Sequence, residues 1–191
     1  LIINKPSFID RAEILREKGT NRSRFFRGMV DKYTWVDMGS SYLPSDVQAA
    51  YLWGQLEKAD LIAESRLRCW NRYDQQLRWL EEQAYADLPR FTVGATHNGH
   101  CFYIKLRYPA TRPELIAFLK AAGILTVFHY VPLHSAEAGR RFGRFYGEDR
   151  HTTSESERLL RLPMFYSLTN ENIDYICDKL AEFFKKTQIK N

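Results

Sequence analysis

Cysteine is scarce in this chain: Cys69, Cys101 and Cys177 make an odd count at wide spacing. That pattern excludes a disulfide framework and a paired zinc motif, and it leaves free thiols suited to a reducing compartment. Long apolar runs are missing as well. Stretches such as Ile124–Phe128 stop far short of the roughly 20 residues that a membrane-spanning helix needs. No basic-then-apolar leader opens the sequence, so a soluble, cytoplasmic protein is expected. Neither charge dominates: 28 Lys and Arg stand against 23 Asp and Glu, a net +5, which suits phosphates or nucleotides without demanding them. Internal repeats and low-complexity segments are absent.

Aromatic residues are plentiful, with 12 Phe, 11 Tyr and 4 Trp, and 45% of the 191 residues are hydrophobic. This is enough for one folded domain, or for one small domain and part of another. Leu1–Asn4 reads as a short apolar strand that would need sheet neighbours, as in a truncated domain. A helix is expected from Ser7 to Glu17, stopped by Gly19. Thr20–Ser41 then forms a long polar loop, and long loops in compact domains usually bind something. Charge concentrates only from Arg16 to Arg27, where Arg16, Lys18, Arg22, Arg24 and Arg27 form one stretch broken by Phe25 and Phe26. Basic residues interleaved with aromatics fit a nucleotide diphosphate, a nucleic acid or a solvated loop.

From Ser45 to Leu80, apolar residues recur at helical spacing, and an unbroken helix of that length would span on the order of 50 Å, with a kink expected near Asp60. After Leu88-Pro89 the pattern alternates. Cys101–Arg107 and Ile124–Tyr130 read as strands. Thr111-x-x-Glu114 reads as a capping box opening a helix that stops at Gly123. A short helix is expected from Thr152 through Leu160. A last helix, capped by Thr169, carries Ile173, Ile176, Cys177, Leu180, Phe183 and Phe184 as one buried stripe.

Three constellations bear chemistry. His97 with His100, and His129 with His134, have spacings that zinc sites use, but no carboxylate or cysteine completes either set, so no metal is expected. His129-Tyr130-Val131-Pro132-Leu133-His134 follows a strand and brings two imidazoles and a phenol to its end, where they fit a sugar hydroxyl, a phosphate, a carboxylate or structural hydrogen bonds. Gly39–Asp46 sets small hydroxyl residues before a helix start, a place that attracts phosphate, unless Ser45 or Asp46 simply caps the helix.

The order of Gly39, Tyr42, Ser45 and Gln48-Ala49-Ala50, then Gly123-Ile124, the His129–His134 block and Leu162-Pro163-Met164-Phe165, resembles the DegT/DnrJ sugar aminotransferases. Within that family, Arg11–Arg22, Phe25–Gly28, Asp31–Trp35 and Gly147–Arg150 are similar to the dTDP-4-amino-4,6-dideoxygalactose transaminases of common-antigen polysaccharide synthesis. The resemblance covers essentially the whole chain. It implies an α/β fold: the C-terminal part of a type I transferase dependent on pyridoxal 5'-phosphate (PLP). Residues 1–44 would be a remnant of the large PLP-binding domain, 45–84 a long linking helix region, and 85–191 a small C-terminal α/β domain with a short, mainly antiparallel sheet.

The resemblance further implies a homodimer with shared active sites. An amino group would move from L-glutamate to C4 of dTDP-4-keto-6-deoxy-D-glucose, giving dTDP-4-amino-4,6-dideoxy-D-galactose. The lysine that anchors PLP would lie before Leu1, so the chain alone is expected to be inactive, and Lys5 is not given that role. Ser41 stands where the family has an asparagine that reaches the phosphate of the neighbouring subunit's PLP. Leu43 stands where the family has an arginine, a contact that Arg27 or another residue of the basic loop would have to replace. Arg27, His129, Tyr130 and His134 are placed at the nucleotide sugar. A competing expectation, from the charge and the arginine loop alone, is a nucleotide- or nucleic-acid-binding module without catalysis. A histidine-based metal hydrolase is a third.

Overall fold

The structure, a computed structural model, describes residues 1–188. It separates into two compact units, one spanning Leu1–Lys58 and the other beginning at Ala59.

The N-terminal unit contains α1 (Ile9–Arg16), preceded by a 3-10 turn at Pro6–Phe8, then the short α2 (Arg22–Phe26) and α3 (Asp46–Leu56). Leu1–Asn4, expected as a strand, has no regular structure and no strand partner among the described residues. Backbone crossing, rather than side-chain burial, organises this unit. Gly19, the residue just past α1, has a φ of +75°, and a Cβ there would stand 1.7 Å from the Asp37 carbonyl oxygen. At Gly39 a Cβ would meet the Gly19 nitrogen at 2.0 Å, so two bare backbones pass against each other. Hydrogen bonds tie the crossing together, from Val36 N to Gly19 O (2.8 Å), Ser40 N to Leu15 O (2.9 Å) and Lys18 N to Ser40 O (3.1 Å). Gly19 is the one buried residue of this unit.

The C-terminal unit holds the core. Its elements are α4 (Ala59–Leu77), α5 (Trp79–Glu82), β1 (Ala86–Asp87), β2 (Phe102–Leu106), α6 (Thr111–Ala121), β3 (Val127–Phe128), α7 (Glu137–Phe142), α8 (Thr152–Arg158), β4 (Leu159–Leu162) and α9 (Asn170–Gln188). The strands form an antiparallel sheet in the order β1-β2-β4-β3, with Ile104 opposite Leu160 and Phe128 opposite Leu160 on its other side. β2 alternates in the expected way, with Phe102, Ile104 and Leu106 buried and Tyr103 and Lys105 on the other face. Cys69, Trp70, Tyr73 and Leu77 of α4 and the expected stripe of α9 pack into the same core. Arg72 bridges these two helices, donating to both carboxylate oxygens of Asp174 at 2.6 Å. Thr169 caps α9, its hydroxyl accepting from Asn172 N at 3.2 Å.

Several sequence expectations shift. The helix expected through Leu160 ends at Arg158, and Leu159–Leu162 is instead a strand, because its alternating burial and its pairing with β2 outweigh the helical start. The Ile124–Tyr130 strand shrinks to Val127–Phe128. Thr111 forms no side-chain cap; Thr111 N donates to Tyr108 O and Arg112 N to Pro109 O, so the turn at Pro109 opens the helix instead. The chain leaves helix after Leu56 and re-enters at Ala59, close to the expected kink. No helix among the described residues is long and apolar enough to cross a membrane.

Candidate functional site

Ser41 is placed by the glycine crossing. Its backbone forms an isolated antiparallel bridge with Glu17, and Tyr42 N donates to Arg16 O at 3.1 Å. The Ser41 hydroxyl is exposed and makes no hydrogen bond among the described residues, so its donor is unspent. The helix start that follows is already satisfied. Ser45 caps α3 by accepting from Gln48 N at 3.3 Å while Gln48 Oε1 accepts from Ser45 N at 2.9 Å. Asp46 adds a negative charge in the first turn, which opposes an anion there.

Three of the five cations from Arg16 to Arg27 meet carboxylates within their own unit. Arg11 pairs with Asp37 (2.6 Å), Arg24 with Asp10 (3.0 Å) and Arg22 with Glu17 (3.6 Å), and Arg16 donates to Ser23 Oγ at 3.2 Å. Arg27 forms a two-point pair with Glu13 and holds that carboxyl below the usual range, the guanidinium hydrogen bonds being the largest cause. A diphosphate reaching Arg27 would have to displace this carboxylate. The same pairing weakens the case for a nucleic-acid surface, which needs cations free to release counterions. Glu13 and Arg16, with Leu1, Ile3, Ile9, Ala12, Leu15 and Tyr42, line an open, mainly apolar cavity of about 780 Å³.

In the C-terminal unit the structure brings the His129–His134 block together with α8. His129, Tyr130, Val131, Pro132 and Leu133 line a cavity of about 490 Å³ with Thr152, Glu155, Ser156 and Leu159. His129 and Tyr130 rings lie 5.1 Å apart. His134 is turned toward the segment before α8. Its Nε2 lies 2.9 Å from Asp149 Oδ2 and 3.3 Å from Thr153 Oγ1, and its ring packs on Phe145 at 4.5 Å. Thr153 also donates to Asp149 at 2.6 Å, and this bond is the main reason the Asp149 carboxyl sits below its usual range, with His134 a lesser one. In the neutral ring an Nε2–H donated to Asp149 leaves Nδ1 as the acceptor.

Sequence reasoning identifies the histidines and Tyr130 but not Asp149, Thr153 or Ser156 as their partners. Gly147–Arg150 stands out only through the family resemblance, and nothing local connects it to His134.

No group of three or more metal-ligating side chains occurs among the described residues. His97 instead stacks on Phe91 at 3.9 Å and meets Trp70 edge-on at 4.5 Å, while its Nδ1 accepts from Gly99 N at 3.3 Å. His100 N donates to Asn98 Oδ1 at 3.0 Å. This pair builds a turn.

Of the residues singled out for a cofactor phosphate, Ser41 keeps a hydroxyl donor free beside the uncharged Leu43, which fits a single contact at the edge of PLP.

Comparison with known proteins follows the same lines. A curated relative, the "Pleiotropic regulatory protein" of Geobacillus stearothermophilus, is 28% identical over 189 residues, which is 97% of this chain and 46% of that protein. Among solved structures, the aminotransferase TlmJ of Streptoalloteichus hindustanus superposes with a TM-score of 0.80 at 19% identity, over 97% of this chain and 47% of its own. PseC of Helicobacter pylori, an aminotransferase involved in the biosynthesis of pseudoaminic acid, gives a TM-score of 0.78 at 17% identity, over 96% of this chain and 47% of its own. At such identities these likenesses establish the fold. The chain spans about half the length of the proteins it matches. Residues 1–181 match the DegT/DnrJ/EryC1/StrS aminotransferase family, and the chain belongs to it.

Proposed function

We propose that this chain is one part of a PLP-dependent nucleotide-sugar aminotransferase and supplies walls of its active site rather than the whole of it. The observation that carries the reading is the set of polar side chains around one cavity at the end of β3, in a chain of this family. His129 and Tyr130 bring polar groups to it at hexose scale, and His134, held by Asp149 and Thr153, follows them in the chain.

When bound, PLP supplies a carbon that carries nitrogen from one substrate to the other. The chain's own contributions are binding and orientation. Ser41 donates one hydrogen bond to the cofactor phosphate of a neighbouring subunit in a homodimer. Arg27, once released from Glu13, meets the sugar's diphosphate. His129, Tyr130 and His134 fix the hexose so that its C4 carbonyl faces the amino donor. The anchoring lysine comes from a region of the protein outside this chain.

The substrate reading is L-glutamate as donor and dTDP-4-keto-6-deoxy-D-glucose as acceptor, giving dTDP-4-amino-4,6-dideoxy-D-galactose for a cell-surface polysaccharide, made in the cytoplasm. The resemblance of Arg11–Arg22, Phe25–Gly28, Asp31–Trp35 and Gly147–Arg150 supports it. The test uses the complete gene product with 15N-glutamate, PLP and a panel of keto sugars on dTDP and UDP. Label in the 4-amino sugar on dTDP is expected. Label in a UDP product alone would overturn the substrate, and failure to take up PLP would overturn the enzyme.

A further inference from the structure

Among the described residues three that are not glycine have positive φ: Lys18 at 62°, Ala84 at 56° and Tyr130 at 55°. The first two have a local reason. Lys18 follows the end of α1 and Ala84 the end of α5, where Tyr85 N reaches back to Leu80 O at 2.8 Å, so both serve helix termination. Tyr130 closes no helix. It follows the edge strand β3 and precedes Val131-Pro132, and a bulky aromatic in the left-handed region is strained there. Something other than its neighbours in sequence must hold it.

Two groups do so, one on the backbone and one on the ring. Ser156 Oγ donates to the Tyr130 carbonyl oxygen at 2.6 Å. From β4, the Arg161 guanidinium lies 5.6 Å from the centre of the Tyr130 ring, and its buried Nε has no hydrogen-bond partner among the described residues. Both anchors are themselves fixed. Arg112 donates to the carbonyls of Ser156 and Leu159, tying down the C-terminal end of α8, and Glu155 is held by Lys105 at 2.8 Å and Arg158 at 2.9 Å. Arg161 sits in register between Tyr103 and Val127. The strain is therefore carried by a rigid shelf and concentrated at one residue whose side chain stays two-thirds exposed, 67% by area, at the cavity wall.

We propose that Ser156 and Arg161 are positioning residues, which clamp Tyr130 in its left-handed conformation so that its phenol and the adjoining His129 present a preformed surface to the hexose of a nucleotide sugar. For the identity of the ligand this rests on the reading given above; the clamp itself does not. A strained residue is useful here because a relaxed loop would have to be ordered by the substrate on every encounter, and pre-ordering removes that cost from binding.

The test compares wild type, Ser156→Ala and Ser156→Thr in the complete gene product with two readouts. The first is amide hydrogen exchange of Val127 and Phe128, the β4-paired strand residues that adjoin the clamp, which needs no activity. Losing one net hydrogen bond is expected to speed exchange about 3- to 10-fold in S156A, with S156T, which keeps the hydroxyl, restoring the wild-type rate. The second is steady-state kinetics: S156A should raise KM for the keto sugar by a similar factor while the half-reaction with the amino donor keeps its rate. Circular dichroism melting checks that each variant folds. Wild-type exchange in S156A, or a fast rate that threonine does not repair, would overturn the clamp. An equal loss in both half-reactions would overturn its assignment to the sugar side. If wild type transfers nitrogen to no nucleotide sugar, the aminotransferase reading falls, and the exchange experiment still decides the clamp.

Discussion

Gly39→Ala offers a direct examination of how Ser41 is positioned. A Cβ at residue 39 would stand 2.0 Å from the Gly19 nitrogen and 2.6 Å from its Cα, both backbone atoms that cannot rotate away. Relief requires the 36–41 segment to shift by roughly 1 Å or more, the scale at which overpacked sites rearrange. Ser41 lies two residues along the same segment, so on the proposed reading its hydroxyl would leave hydrogen-bonding range of the cofactor phosphate. A hydrogen bond to a charged group contributes about 1.5–3 kcal/mol, which corresponds to a roughly 10- to 150-fold loss in cofactor affinity. Titration of PLP into the complete protein, followed by absorbance, should show G39A and Ser41→Ala weakened by similar factors. Gly54→Ala is the control, because a Cβ within α3 there meets nothing within 4 Å, and alanine favours that helix by about 0.5–1 kcal/mol. Cofactor binding in G39A equal to that of the control would refute the placement of Ser41 by this crossing.

Three further outcomes are expected. Leu180→Ala, at a fully buried position, should cost about 2–5 kcal/mol in urea unfolding of the C-terminal unit; a cost typical of surface changes would contradict the core described. Lys179 and Lys186 hold the Glu182 carboxyl down at about 2 through side-chain hydrogen bonds, so its stabilising contribution is complete above the ordinary value of 4.5 and is lost as pH falls toward about 2. Melting temperatures of wild type and Glu182→Gln should therefore differ at neutral pH and converge across that acid range. Burial pushes the Cys177 thiol up to about 12, so mass spectrometry after brief iodoacetamide treatment should find Cys101, which is partly exposed, alkylated before Cys177.

Elements whose signal is local are legible in the amino-acid sequence. The stripe from Ile173 to Phe184 repeats over three turns, long enough for periodicity to select a helix, and β2 alternates without interruption. What eludes the sequence depends on residues far apart in it. Leu159–Leu162, three leucines around Arg161, is a four-residue stretch too short for its pattern to separate helix from strand, and its pairing with Phe102–Lys105 decides between them. His134 is visible as a candidate because it ends a run of polar and aromatic side chains at a strand terminus. Asp149, which orients it, arrives from a loop with no periodicity of its own. The left-handed φ of Tyr130 has no sequence signature at all, since glycine or asparagine would be the usual occupant. Ser41 is the opposite case: its neighbouring glycines are legible, while the capping box at Ser45 and Gln48 shows that the adjoining helix start is already satisfied.

The two units differ in what stabilises them, and the difference reaches the site. Among the described residues every buried hydrophobic side chain lies from Cys69 to Phe184, whereas α3 exposes Val47, Tyr51, Leu52, Trp53 and Leu56, each by more than half of its surface. Side-chain burial is the dominant favourable term in folding, so Leu1–Lys58 as described holds its shape through backbone bonds and exposed ion pairs, each contributing little. A loop stabilised in this way opens readily, and only cover over α1 and α3 would make Ser41 a rigid donor. Amide exchange on the 191-residue chain should therefore protect α4, β2 and α9 strongly and α1 and α3 weakly, while in the complete protein α1 and α3 should gain protection. Equal, strong protection of both units in the shorter chain would show that the N-terminal unit is stable without such cover.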